Sequence, residues 1–147
     1  KLRSYCNKKK FKFYISNNLR LAIKLKTDGI YIPSFNKRIT LNKAGLSKNF
    51  KIIGSAHNQM EIKKKIDQGC EAIFLSPIFR IEKSKKYLGV CRFGLLTLKY
   101  KKKFIALGGI RKKNINILKM LNIYGMAGIS LLKKTGPKIW AGFYKFV

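Results

Sequence analysis

Acid is what this sequence is shortest of: Asp and Glu number 5 against 34 Lys and Arg, leaving a formal net charge of +29 over 147 residues. A surplus of that size raises nucleic acid, anionic membrane surfaces and phosphorylated ligands as candidate partners. The basic runs at 8–10, 63–65, 85–86, 101–103 and 112–113 are scattered, however, over separate loops and helix faces, with no aromatic-interleaved basic strand of the RNA-binding kind. Scatter of this sort reads as solvated surface in a composition rich in Lys, Ile and Asn, and it argues against a nucleic-acid partner. Cysteine is also scarce: Cys6, Cys70 and Cys91 are far apart, odd in number and outside any Cys-x-x-Cys or Cys/His spacing. That pattern gives no zinc-site spacing and leaves reduced, mostly buried thiols of a cytoplasmic protein as the expectation. No apolar run approaches the roughly 20 residues of a membrane span. No signal-peptide pattern opens the chain.

What is present is alternation. Apolar, β-branched and aromatic runs at 11–16, 28–32, 51–55, 72–76, 104–108 and 126–130 read as six strands. Helical spacing separates them. Leu19, Ala22 and Ile23 fall at i, i+3, i+4; Asn58 is an N-cap with Glu61 three positions on, Ile62 and Ile66 facing inward, and Gly69 ending the helix. A further helix is predicted over 89–99, with Phe93, Leu96 and Tyr100 on one side, and another over 112–122, burying Ile117, Leu118 and Leu121. A last helix is predicted over 137–146, with Trp140 and Phe143 apolar. Long crossovers, near-continuous apolar strands and the absence of Asn-Gly hairpin turns specify parallel strands covered on both faces. An open doubly wound sheet remains the alternative, although no Gly-x-Gly-x-x-Gly follows the first strand. We therefore expect an α/β fold, an incomplete (β/α)₈ TIM barrel with about six of its eight strands. The strands should be sequential and parallel, in one domain spanning 1–147. A complete barrel takes about 250 residues, and the chain opens on Lys1. A fragment or a processed chain is expected, with an open seam where two strands are missing.

In a parallel barrel, chemistry gathers where strands end. Those ends hold Asn17 and Asn18; Ser34, Phe35 and Asn36; Ser55, Ala56 and His57; Ser76 to Phe79; Leu107 to Ile110; and Ser130 to Lys133. Small polar and glycine residues suit a phosphate-bearing ligand. Gly108 and Gly109 would let backbone N–H groups approach an anion ahead of a helix. A tight strand-to-helix turn explains the same pair equally well. His57 is the only histidine, and histidine is the side chain suited to moving protons near neutral pH. Packing at a helix start is its plainer reading.

Taken in order, several pieces resemble the thiamine phosphate synthase family and its thiazole tautomerase relatives over residues 11–133. They are Asn17-Asn18, Asp-Gly-Ile-Tyr-Ile at 28–32, Ile-Gly-Ser-Ala-His-Asn at 53–58, Leu-Ser-Pro-Ile-Phe at 75–79, Ala-Leu-Gly-Gly-Ile at 106–110 and Gly-Met-Ala-Gly-Ile-Ser at 125–130. Leu88-Gly89 with Arg92-Phe93 resembles one branch of that family. The resemblance implies a transferase of thiamine biosynthesis that joins an aminopyrimidine methyl diphosphate to a thiazole phosphate, with Mg²⁺ holding the pyrophosphate that leaves. It sets Asn17 against the pyrimidine or its diphosphate and Ser55 on the diphosphate. Ser84 and Lys85 stand for the family's Thr-Lys pair. Gly108 and Gly109, with Ser130 and Lys133, take the thiazole phosphate. Asn18 and Asn36 occupy the two positions of aspartate metal ligands, and amides lack the charge that Mg²⁺ prefers. The family's Gln-x-Arg-x-Lys diphosphate grip has no counterpart in this chain. Two other functions stay open: a thiazole tautomerase-like isomerase using His57, and a non-catalytic barrel binding phosphate or polyanions through its lysines. The implied partners are small phosphorylated molecules in the cytoplasm. The polyanion reading requires Lys63–Lys65, Lys101–Lys103 and Lys112–Lys113 to share one face.

Overall fold

The structure, a computed structural model, describes residues 2–38, 45–82 and 86–128 and the backbone of 142–145. It opens on a helix, α1 (Leu2–Lys8), and then alternates: β1 (Tyr14–Ser16), α2 (Leu19–Lys24), β2 (Gly29–Ile32), β3 (Lys51–Ala56), α3 (Gln59–Asp67), β4 (Ala72–Leu75), α4 (Val90–Lys99), β5 (Lys103–Leu107), α5 (Ile115–Leu118), β6 (Gly125–Gly128) and β7 (Gly142–Lys145). The strands form one seven-stranded sheet in sequential order, β1 to β6 each parallel to the next. The sequential parallel order expected from the alternation is therefore present.

Helix boundaries follow local chemistry. The Asn18 Oδ1 accepts from the Leu21 N–H at 2.9 Å and starts α2. Asn58 Oδ1 does the same for the Glu61 N–H at 2.9 Å. The Glu61 carboxylate returns the favour one residue earlier than a standard capping box, accepting from the His57 N–H at 2.8 Å. Gly69, at φ +78°, ends α3 in the left-handed conformation, and the Cys70 N–H donates to the Lys65 carbonyl at 3.0 Å.

Three segments differ from expectation. Residues 2–8 form α1, which buries Cys6, although no clear apolar period marks them. The helix expected over 112–122 contracts to α5. Beyond it the chain tightens into i→i+3 bonds, with Lys119, Met120 and Leu121 donating to Asn116, Ile117 and Leu118 at 3.2 Å each. Asn116 and Asn122 are weak helix formers, which favours this early stop. The helix expected over 137–146 is corrected by β7, which pairs antiparallel with β6 in the register Met126↔Tyr144 and Ala127↔Phe143. Adjacent aromatics favour the extended state, and the β6 edge supplies unpaired backbone groups that a strand satisfies and a helix cannot. Trp140 lies outside the described residues.

Period-two alternation splits the strands between two apolar layers. Ile30, Ile32, Ile52, Ile73, Leu75 and Phe104 are fully buried against Ala22, Ile62, Phe93 and Leu118 of the helices. Each such side chain contributes about 1.5–3 kcal/mol of burial. On the other face Ala72, Ile105 and Ala127 pack with Ile53, Phe74, Leu107 and Tyr124.

At the N-terminal ends of the strands, Asp28 joins β1 to β2. Its carboxylate accepts from Lys12 Nζ at 2.7 Å and from the Phe13 N–H at 2.9 Å. Burial alone would raise the Asp28 pKa, but Lys12, the Phe13 N–H and Arg3 outweigh it and hold it below the ordinary 3.8. The Lys12 side chain is largely in water, so the ion pair itself adds little. Losing the bond to the Phe13 N–H in Asp28→Ala should cost about 1 kcal/mol at pH 7. A carboxylate with a depressed folded pKa stabilises above its unfolded value of 3.8 and loses that contribution as pH falls through the lower folded value. The gap between wild type and variant in urea unfolding should therefore close in that acid range; a constant gap would contradict it.

Candidate active site at the strand C-termini

Asn17 closes β1 in the left-handed region, at φ +59°, a conformation asparagine tolerates better than most residues. Its N–H donates to the Tyr31 carbonyl at 2.9 Å. The Asn17 Oδ1 accepts from Nδ2 of Asn36, which stands on the loop leaving β2. Asn36 Oδ1 in turn accepts from the Arg38 N–H at 3.0 Å. Asn36 is thus joined to Asn17, while Asn18 spends its side-chain oxygen on capping α2.

Beneath this loop lies a residue that the lysine-run reading assigned to solvent. Lys63 and Lys64 are exposed, but Lys65 is 1% exposed. Its ammonium donates to the carbonyls of Pro33 at 2.7 Å and Asn36 at 2.8 Å, and to Gln68 Oε1 at 2.9 Å. Gln68 Nε2 adds a bond to the same Asn36 carbonyl at 3.0 Å. Burial lowers the Lys65 pKa from the ordinary 10.5, with partial opposition from Cys70 and Glu61. The sequence did carry a sign of this: Ile62 and Ile66 mark the inward face of α3, and Lys65 sits three residues after the first.

On the next strand Ser55 is 5% exposed. It does not cap α3; its Oγ accepts from the Tyr31 hydroxyl at 2.8 Å, and the Tyr31 ring meets Phe74 edge-on at 6.1 Å. That acceptance leaves the Ser55 proton available to another acceptor. His57 follows at the strand end, exposed, with Nδ1 2.7 Å from the Ser76 carbonyl. A carbonyl only accepts, so Nδ1 carries a proton, and in the neutral ring the lone pair then lies on Nε2.

Gly108 and Gly109 have φ of +96° and +69°. A Cβ on Gly108 would lie 2.6 Å from Pro77 Cβ, and one on Gly109 2.7 Å from the Arg80 carbonyl oxygen. The Gly108 carbonyl accepts from the Phe79 N–H at 3.1 Å, and Asn114 Nδ2 donates to the Gly109 carbonyl at 2.9 Å. The tight-turn reading of this pair is therefore satisfied by packing. Ser84, Lys85, Ser130 and Lys133 lie outside the described residues. The test of a shared basic face fails: Lys65 is buried, Lys101–Lys103 lead into β5 and Lys112–Lys113 follow its far end. Two clefts, of 490 and 550 Å³, open at the strand N-termini around Lys12, Asp28 and Lys51 and around Tyr100 and Lys103. In parallel barrels that end serves stability.

Among the described residues, no group of three or more His, Cys, Asp or Glu could hold a metal ion. The amides at 17, 18 and 36 do not fit as a protein-held Mg²⁺ site. They bring no negative charge, the Asn18 oxygen is occupied, and an ammonium sits 2.8 Å from the Asn36 carbonyl.

The sequence model of a family described as thiamine monophosphate synthase matches residues 1–132. The chain belongs to the thiamine monophosphate synthase family. It is 31% identical over 143 residues to the thiamine-phosphate synthase of Prochlorococcus marinus, spanning 93% of this chain and 40% of that protein. It is also 31% identical over 147 residues to the thiamine-phosphate synthase of Flavobacterium johnsoniae, spanning 93% of this chain and 68% of that one. Among solved structures, thiamine phosphate pyrophosphorylase from Pyrococcus furiosus superposes with a TM-score of 0.70 at 18% identity, covering 87% of this chain and 61% of the other. That likeness shows the fold, an incomplete TIM-type barrel of six parallel strands with helices between. No helix among the described residues is long and apolar enough to cross a membrane.

Two measurements check the geometry of this family member's strand ends. Gly108→Ala combines a left-handed backbone with an overlap on Pro77, and should cost about 2–4 kcal/mol in urea unfolding; a loss near zero would mean that the turn is not packed as described. Long-range ¹H–¹⁵N spectra of neutral His57 should show the Nδ1-protonated tautomer, and a dominant Nε2-protonated form would contradict the bond to Ser76.

Proposed function

We propose that this chain acts in the thiamine phosphate synthase reaction, joining an aminopyrimidine methyl diphosphate to a thiazole phosphate. What carries the reading is one coincidence. In a chain of this family, Asn17, Asn36, Ser55, His57 and the Gly108–Gly109 turn lie at the C-terminal ends of neighbouring parallel strands. In this reaction the methylene C–O bond breaks with its electron pair on pyrophosphate, and the thiazole nitrogen lone pair forms the new C–N bond. The protein's task is to orient two anions and to stabilise the charge gathering on the leaving group.

Ser55 supports that role, since its hydroxyl proton is left free by Tyr31 and suits a diphosphate oxygen. The Asn17–Asn36 pair stands one strand away, offering amide N–H groups to the pyrimidine or the diphosphate. The backbone at Gly109 suits the thiazole phosphate. Ser84, Lys85, Ser130 and Lys133 complete the proposed substrate contacts. Magnesium belongs to the proposal only as an ion carried in by the diphosphate, because the amides do not hold it by themselves. A cytoplasmic location and small phosphorylated partners accompany this reading. One observation favours a second reading, thiazole tautomerase-like isomerisation. The Ser76 carbonyl orients His57 through Nδ1, so that in the neutral ring Nε2 is the nitrogen suited to a proton shuttle.

Titration with inorganic pyrophosphate and, separately, thiazole phosphate is expected to move the amide signals of Asn36 and Ser55 with the first and of Gly109 with the second. Unmoved signals at millimolar ligand would reject the synthase reading. Deuterium uptake by the thiazole ring in D₂O, lost in His57→Gln, would instead favour the isomerase.

A further inference from the structure

We infer that Lys65 is a positioning residue of this site, a buried ammonium that sets the loop leaving β2 so that Asn36 meets Asn17; this rests on the synthase reading of the strand ends. An ammonium has three hydrogens, and here each finds an oxygen within 2.9 Å. Two of those oxygens are loop carbonyls 29 and 32 residues away in sequence, so the bonds tie α3 to the β2 exit. Without them, the Pro33 and Asn36 carbonyls would each lose a charged donor, keeping the neutral bonds from the Asn36 N–H and from Gln68 Nε2.

The surroundings are shaped for this side chain. Gly54 on β3 leaves the space through which the lysine stem runs: a Cβ there would stand 2.9 Å from Lys65 Cδ and 2.8 Å from Cys70 Sγ. A buried charge is costly to keep, and a carboxylate partner is the usual compensation. None of the ion pairs among the described residues includes Lys65, which is compensated by carbonyl dipoles instead. Among the described residues no contact ion pair neutralises the ammonium behind the loop, and Glu61 moderates it from further away. The ammonium opposes a bare divalent cation at Asn36 and favours an anion, in keeping with amides where a metal would call for carboxylates. Helix packing alone would be served better by an apolar residue at position 65.

The test compares wild type with Lys65→Met, which keeps the stem and removes the donors. Pyrophosphate affinity, read from the Asn36 amide, should fall about tenfold or more, equivalent to about 1.4 kcal/mol. Hydrogen-exchange protection at 34–38 should fall with it, and the response of Gly109 to thiazole phosphate should stay within about twofold. Equal pyrophosphate affinity in the two proteins would overturn the inference and leave the synthase reading standing. Equal weakening at Asn36 and Gly109 would also overturn it, as the mark of a general packing defect. A wild-type protein blind to pyrophosphate would remove the synthase reading at this end and the inference with it. Should Lys65→Met fail to fold, Gln68→Met removes a lesser support of the same loop. An approximately threefold loss for pyrophosphate alone is then expected, and no loss would overturn the assignment.

Discussion

Parallel pairing is the constraint on which the rest of this structure depends. Two neighbouring strands can run the same way only if the chain returns to its starting edge between them, which takes a crossover rather than a hairpin. Repeated from β1 to β6, that requirement delivers every strand C-terminus to one end of the sheet. Residues as distant in sequence as Asn17 and Gly109 thereby face the same end. It also makes each strand apolar on two faces, with Ile73 and Leu75 of β4 under the helices and Ala72 and Phe74 on the other side.

The shortage of acid shapes the site as much as the surface. Of the five acidic residues, Asp28 ties β1 to β2, Glu61 caps α3, Glu71 pairs with Lys51 at 2.9 Å and Glu82 approaches Arg111 at 4.0 Å. The exposed Glu82 pair adds little in water. At the exits of β1 and β2 this chain carries the amides Asn17, Asn18 and Asn36, and the buried ammonium of Lys65 bonds the Asn36 carbonyl. Amide and ammonium together bring N–H donors to that end of the sheet. The high net charge works in the same direction at long range, though screened beyond about 10 Å at ordinary salt.

Much of this was written locally. Strand positions followed from β-branched runs, the starts of α2 and α3 from asparagine caps, the end of α3 from Gly69, and the family from short segments at strand ends. The misreadings were also local in origin. An amphipathic period near the C-terminus looked helical because pattern alone cannot register that β6 offers an open edge. Lys65 looked solvated because lysine usually is.

The sequence by itself determined the first six strands, that they run parallel, and which residues stand at their ends, because those properties depend on side-chain period and on caps a few residues away. Tertiary structure alone decided that Asn36 pairs with Asn17, that the Tyr31 hydroxyl bonds Ser55, that His57 Nδ1 meets the Ser76 carbonyl, and that Lys65 is buried. Each of these joins atoms on different strands or across a helix–loop contact. Their energies exist only once parallel pairing has closed about 20 to 30 residues of intervening chain.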